Sequence, residues 1–156
     1  MSRHQFDLFG ADKRVLTQSN HYRWARAGEL LAAFELTLLG ADISIASEGR
    51  AYDLIADVGN KLVRVQVKAA GAPRLNGKLW SYRFSIVQGS HKGKTSSCSY
   101  TVDHADVFAL VAVDIRRLVF MSVKSLEGTT MINIVPCQLL KEDLAASSLA
   151  ACLGSL

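Results

Sequence analysis

The chain is poor in the sequence features of disulfide-rich, zinc-stabilised and membrane proteins. Its 156 residues include three cysteines and two prolines. Cys98, Cys137 and Cys152 are widely spaced and form no CxxC pair, so neither a disulfide framework nor a structural zinc site is expected. No apolar run reaches the ~18 residues of a membrane span, and the N-terminus has no apolar signal segment. We therefore expect a cytoplasmic protein with reduced thiols and no membrane partner.

The chain also lacks the short motifs of several common enzyme classes. It contains no GxSxG, no Walker loop and no GxGxxG after a strand, which argues against serine hydrolases, P-loop NTPases and dinucleotide-binding enzymes. Lys and Arg number 18 against 14 Asp and Glu, which gives a formal net charge of +4. An excess this small permits an anionic partner without requiring one.

What the sequence does contain is a hydrophobic pattern whose period changes along the chain. A helix is predicted from Trp24 to Leu39, ended by Gly40, because apolar residues recur at helical spacing at Ala27, Leu30, Leu31, Phe34 and Leu38. Ala32, Leu36 and Leu39 widen this stripe, which predicts burial of the helix on more than one side. Strand-like segments follow at 41–47, 51–58, 61–69, 79–87, 107–115 and 117–123, and a closing helix is predicted over 138–153. The order predicts one α/β domain over 1–156, with an N-terminal arm at 1–22 and a mixed β-sheet flanked by helices.

Two segments between the strands, 71–78 and 88–97, are predicted as loops. Basic residues in and beside them fit, as a group, a strip that binds the phosphate backbone of DNA. A solvated surface explains each of these residues equally well when it is taken alone. The basic residues are Arg74, Lys78, Arg83, Lys92 and Lys94.

Gly59 and Asn60 separate two of the predicted strands and favour a tight two-residue hairpin turn. With this turn, Asp53 lies opposite Gln66, and Lys68 lies two residues further along on the same face. A carboxylate, an amide and an ammonium group then converge, with opposed Cβ atoms ~5 Å apart. A slip of one residue in the register would separate them onto opposite faces.

Such a cluster suits metal-assisted phosphodiester hydrolysis. Carboxylate and amide oxygens are hard ligands of the kind that Mg²⁺ takes, and a lysine nearby orients water or offsets developing charge. Glu29, on the preceding helix, is a candidate third oxygen ligand, although an acid early in a helix also simply complements the helix dipole. The alternative for Asp53 and Lys68 is a cross-strand ion pair on a solvated face, worth ~0.5 kcal/mol.

Two further interpretations concern neighbouring charges. Asp57 and Arg64 fall on the same face nearer the turn and are predicted to form a salt bridge rather than to take part in chemistry. Asp106 precedes a near-continuous apolar strand, and a structural role at the start of that strand is expected. The apolar run from Leu139 to Leu156 is a candidate interface between subunits.

The pattern Asp53-x12-Gln66-x-Lys68 resembles the catalytic signature of the PD-(D/E)XK nuclease superfamily, in the branch where glutamine replaces the middle acid. The resemblance extends over about 24–124. Within the superfamily, the chain is similar to small bacterial and phage endonucleases, an intron-encoded homing endonuclease of cyanobacteria among them. It implies a restriction-endonuclease-like fold. Alanine and tyrosine precede Asp53 where the signature has proline, and the glutamine removes one negative charge from the site.

The resemblance also assigns roles. Asp53, Gln66, the Val67 carbonyl and Glu29 would bind Mg²⁺, with Mn²⁺ as a substitute, and Lys68 would act on the attacking water. The implied function is a Mg²⁺-dependent DNA endonuclease of homing, restriction or repair type, acting as a homo-oligomer, either a dimer or a tetramer. The alternatives are a catalytically inactive nuclease-fold module that binds DNA or assembles with partners, and a structural protein without a nucleic-acid role.

Overall fold

The computed structural model describes residues 21–88 and 98–156, so most of the predicted N-terminal arm lies outside it. The helices and strands follow one another as α1 (His21–Leu38), β1 (Asp42–Ile45), β2 (Leu54–Val58), β3 (Lys61–Ala70), β4 (Arg74–Asn76), β5 (Leu79–Ser85), β6 (Val107–Ala112), β7 (Arg117–Ser122), β8 (Met131–Ile134), α2 (Pro136–Leu139) and α3 (Leu144–Leu153).

The strands form two sheets. The larger one has the order β1-β2-β3-β6-β7, in which β3 and β6 are parallel and the other neighbours are antiparallel. The smaller one has the order β4-β5-β8 and is antiparallel throughout. The predicted mixed α/β architecture is confirmed, and β6, predicted to be covered on both faces, is buried at all of its residues.

The two faces of the larger sheet pack against different layers, because strand side chains alternate in direction. On the helix-side face, Val65 and Val67 of β3 pack in one cluster with Leu36 of α1 and Leu149 of α3. On the opposite face, which we call the inner face, Phe108 of β6 packs in a second cluster with residues of the smaller sheet. Gln66 and Lys68 alternate with the valines on β3, so their side chains belong to the inner face.

The structure buries one face of α1, whereas the sequence predicts burial on more than one side. Ala32 and Leu36 are fully buried, whereas Leu30, Phe34 and Leu38 are 54%, 57% and 67% exposed. The helix has apolar residues along two rows on nearly opposite faces, since positions two apart in a helix differ by about 200°, and periodicity alone does not say which row meets the sheet. The row that includes Gly28 does so, because its missing side chain lets the helix approach β3 closely.

The close approach of α1 to β3 can be tested by substituting Gly28. A Cβ added there would lie 2.6 Å from the Cβ of Ala69, which cannot move aside. Gly28→Ala is therefore expected to lower the free energy of unfolding by about 1–3 kcal/mol, although helix propensity alone favours alanine. In urea unfolding, Gly28→Ala combined with Ala69→Gly should be less destabilised than the sum of the single variants. A stabilised Gly28→Ala protein would contradict this packing.

The predicted closing helix is two helices. Leu139 of α2 belongs to the inner-face cluster, whereas Leu149 and Cys152 of α3 belong to the helix-side cluster. The chain must pass from one layer to the other between them, and a single straight helix cannot do this. Asp143 adopts a left-handed conformation (φ 54°) at the junction. Leu139, Leu149 and Cys152 of the predicted subunit interface are therefore core residues, whereas Leu140 and Leu156 are exposed.

The segment 71–78, predicted as a loop, instead contains β4 and the turn to β5. Gly77 takes a positive φ of 61° there, and Leu75 pairs with Trp80 across the hairpin. β8 was not anticipated either, because its four residues are too few for a clear period. Within the part of the chain that the structure describes, no helix has the length and hydropathy to cross a bilayer.

Candidate active site

The hairpin between β2 and β3 places the predicted site residues, and its register is as predicted. Leu54 pairs with Val65 and Val58 with Lys61, so the loop consists of Gly59 and Asn60. Both loop residues have positive φ, 54° and 77°, as a type I′ turn requires. Asp53, directly before β2, therefore lies opposite Gln66 of β3, and the two side chains meet on one face.

Asp53 is held by donors from β3. Its Oδ2 accepts hydrogen bonds from Gln66 Nε2 at 2.6 Å and from the backbone NH of Val67 at 2.7 Å. The pKa of the Asp53 carboxyl is raised, chiefly by burial. The hydrogen bond from the Val67 NH lowers the pKa, the negative charge of Glu29 raises it, and the positive charge of Lys68 lowers it. The two bonds fix the orientation of the carboxylate, while its burial makes a bound positive charge favourable.

The oxygen atoms around the Gln66 amide show that the site fits a divalent cation. Gln66 Nε2 donates to Asp53 Oδ2 and also to Val67 O, at 3.1 Å, so the two oxygens face one point. Turning the amide about its terminal torsion exchanges Nε2 for Oε1, which gives a third oxygen. No three His, Cys, Asp or Glu side chains converge within residues 21–88 and 98–156. The set of carboxylate, amide and carbonyl oxygens fits a hard cation such as Mg²⁺.

Lys68 lies half-buried on the same strand. Its Nζ is 3.5 Å from Val87 O and 3.5 Å from Tyr100 Oη, and 4.9 Å from the centre of the Tyr100 ring. Burial lowers the pKa of Lys68, and the charge of Asp53 partly offsets this. A solvated cross-strand ion pair does not describe this environment, because Asp53 is bound by Gln66 and Val67 instead.

Glu29 approaches Asp53 from α1. The helix begins at His21, so Glu29 lies beyond its first turn, and the dipole alternative has little force there. Glu29 and Asp53 line the same cleft, of about 490 Å³, and the negative charge of Glu29 raises the pKa of Asp53. Glu29 Oε2 is bound by Arg26 Nη1 at 2.8 Å.

Comparison with protein families decides what this arrangement belongs to. A model of the PD-(D/E)XK endonuclease family matches residues 20–142. This range includes the candidate site residues Glu29, Asp53, Gln66 and Lys68. The chain belongs to this family. No curated protein matches the chain.

A solved structure similar to this PD-(D/E)XK chain is that of the bacterial homing endonuclease I-Ssp6803I. The two superpose with a TM-score of 0.68 at 13% sequence identity, and the alignment covers 86% of this chain and 95% of the other. At this identity the likeness concerns the fold alone, and it confirms the predicted restriction-endonuclease-like fold.

Three of the five basic residues predicted to bind DNA fall on the β4–β5 hairpin of this PD-(D/E)XK chain. Arg74 of β4 and Arg83 of β5 are exposed, and the pairing of Arg74 with Ser81 places both on one side of the hairpin. Lys78 is exposed in the turn between them. Lys92 and Lys94 lie outside the described residues.

Arg64 does not pair with Asp57 as predicted. Its guanidinium instead binds Asp106 at 2.6 Å and 3.1 Å, and it also donates to the carbonyls of Val102 and Asp103. Asp106 Oδ2 further accepts the Arg64 NH at 2.7 Å, which confirms the structural role expected of Asp106. The partner was missed because the parallel pairing of β3 with β6, and not the hairpin, brings these residues together.

Tyr100 is a residue of the site that sequence analysis missed. It lies 32 positions from Lys68 in the chain, in a segment without a strong period. Its proximity to Lys68 follows from the tether that Arg64 provides to the segment before β6. No local motif in the sequence signals this contact.

Proposed function

We propose that this chain is a divalent-metal-dependent endonuclease that hydrolyses phosphodiester bonds in DNA. The observation that carries the proposal is the convergence of Asp53 Oδ2 and the Val67 carbonyl on the Gln66 amide, in a chain of the PD-(D/E)XK endonuclease family. The half-buried ammonium of Lys68 on the same sheet face supports it. The combination matches the requirements of metal-assisted phosphodiester hydrolysis.

In this proposal, Asp53, Gln66, the Val67 carbonyl and Glu29 hold Mg²⁺, and Mn²⁺ is a possible substitute. When bound, the cation supplies polarisation of the scissile phosphate and stabilisation of the leaving oxygen. Asp53 is suited to this role because hydrogen bonds from β3 already fix its orientation. Glutamine in place of an acid leaves less negative charge at the site, so the affinity for Mg²⁺ is expected to be modest.

Lys68 is proposed to orient the attacking water and to offset the negative charge that develops on phosphorus. Its position between the Val87 carbonyl and the Tyr100 ring restricts the directions that the ammonium can take. A charge held in a partly desolvated place acts on a developing anion more strongly than one in bulk water does.

We propose further that DNA phosphates contact the basic residues of the β4–β5 hairpin, namely Arg74, Lys78 and Arg83, and that Lys92 and Lys94 join them. Residues 1–156 are proposed to form one domain. Cutting both strands of a duplex takes two active sites, so we propose a symmetric dimer or tetramer. A homing, restriction or repair context is compatible with all of these features.

The direct test is incubation of the purified protein with supercoiled plasmid DNA, with Mg²⁺, with Mn²⁺ and with a chelator. Nicked or linear DNA is expected with either metal, and intact plasmid with the chelator. Salt-dependent DNA binding without cutting would replace the proposal with that of a catalytically inactive nuclease-fold module. A protein that neither binds nor cuts DNA would contradict a nucleic-acid role altogether.

A further inference from the structure

Tyr100 is held rigidly over the inner face of the larger sheet. It is 7% exposed, and its ring packs edge-on against Phe108, with ring centres 5.1 Å apart, and against His104, at 6.0 Å. The Nδ1 atom of His104 accepts a hydrogen bond from the backbone NH of Thr101 at 3.1 Å. Edge-to-face aromatic contacts of this kind fix the plane of a ring.

The segment that carries Tyr100 is tied to the same strand as Lys68. Arg64 of β3 donates to the carbonyls of Val102 and Asp103 at 2.7 Å and 2.8 Å. β3 also pairs in parallel with β6, which places Phe108 beside Gln66. The position of the Tyr100 ring is thereby set relative to the strand on which the candidate catalytic residues lie.

The contact between Tyr100 and Lys68 has two parts. Lys68 Nζ lies 4.9 Å from the centre of the ring, within the range of a cation–π interaction. The same Nζ lies 3.5 Å from Tyr100 Oη. Burial and the charge of Asp53 raise the pKa of Tyr100 to about 12, so its hydroxyl is neutral at neutral pH and accepts from an ammonium group.

From this geometry we propose that Tyr100 is a positioning residue that aims the Lys68 ammonium at the reacting phosphate. The inference rests on the proposed endonuclease function and adds to it a residue outside the family signature. Without the ring, the four-carbon stem of Lys68 gains rotamer freedom, and the ammonium spends less time in the productive place. A small misplacement of a catalytic group lowers a rate by up to ~10²-fold.

The experiment compares Tyr100→Phe, which keeps the ring, with Tyr100→Leu, which removes it. Single-turnover cleavage and DNA affinity are measured separately. Tyr100→Leu is expected to lower the cleavage rate by ~10–100-fold with little change in DNA affinity, and Tyr100→Phe should recover most of that loss. Tyr82→Phe is the matched control, because Tyr82 is a buried tyrosine of the same cluster whose hydroxyl binds Asp114 instead. Its cleavage rate should equal that of the wild type.

A double-mutant comparison separates positioning from a merely structural role. In a Lys68→Met background, Tyr100→Leu should lower the residual rate no further, because its effect acts through Lys68. A further loss as large as that in the wild-type background would mean that Tyr100 acts independently of Lys68, which would overturn the inference.

A readout without catalysis completes the test. In NMR spectra of metal-free protein with labelled lysine Cε, Lys68 is expected to show a ring-current shift that Tyr100→Phe keeps and Tyr100→Leu loses. An unshifted Lys68 signal in the wild type would contradict the contact.

If the wild type and Tyr100→Leu cleave equally while Lys68→Met is inactive, the inference fails and the endonuclease proposal stands. If the wild type itself cuts no DNA with metal, the proposed function fails, and the catalytic role of Tyr100 fails with it.

Discussion

Lys68→Met is expected to lower the rate of DNA cleavage by about 10²–10⁴-fold, the range that a positioned catalytic group typically contributes. Folding should survive the change. Lys68 is half-buried and its pKa is lowered by that burial, so its charge is unfavourable in the folded state, and methionine fills a similar volume without it. We therefore expect a thermal midpoint at or above that of the wild type, together with a loss of activity.

The measurement is single-turnover cleavage at saturating protein, with DNA affinity determined separately at several salt concentrations. Losing one charge should change the salt dependence of DNA binding by no more than about one phosphate contact. Lys61→Met is the matched control, because Lys61 begins the same strand, is exposed and contacts the Leu153 carbonyl at 3.3 Å. It should cut at the wild-type rate. Equal cutting by Lys68→Met and Lys61→Met would remove Lys68 from the mechanism.

The hairpin could be predicted from the sequence because its determinants are local. Gly59 and Asn60 accept the positive φ values of a tight turn, and the alternation of the flanking strands leaves one register that buries the apolar residues. The meeting of Asp53 with Gln66 follows from that register by counting. The burial of β6 could be predicted for a similar reason, since a continuous apolar run of strand length is stable only when both faces are covered.

The remaining features depend on contacts between segments that are distant in the chain. The parallel pairing of β3 with β6 leaves no local signal, so neither the Arg64–Asp106 bond nor the position of Tyr100 could be derived from spacing. The prediction that α1 is buried on more than one side was wrong because Leu30, Phe34 and Leu38, which are exposed, form an apolar row as regular as the one that is buried. Gly28 decides between the rows through close packing, an effect that hydrophobicity does not measure.

Gln66→Glu is expected to make the stability of the protein depend on divalent metal. In the metal-free protein, Gln66 is 8% exposed, and its Nε2 donates to both Asp53 Oδ2 and Val67 O. A glutamate there loses both donors and sets a second carboxylate against Asp53, which is costly at this depth. We expect a loss of about 3 kcal/mol at neutral pH without metal, which lowers the thermal midpoint by roughly 6–12 °C for a chain of this size.

Mg²⁺ or Mn²⁺ should reverse this loss, because two carboxylates bind a hard cation more tightly than a carboxylate and an amide do, and binding to the folded state raises its stability. Thermal unfolding with metal and with chelator measures the effect, and the shift between the two conditions should exceed that of the wild type. Gln138→Glu is the matched control: Gln138 is exposed in the first turn of α2, where its Oε1 accepts the Val135 NH, and glutamate keeps that acceptor. If metal shifts the midpoint of Gln66→Glu no more than that of Gln138→Glu, a cation does not bind between Asp53 and position 66, and the proposed metal centre is wrong.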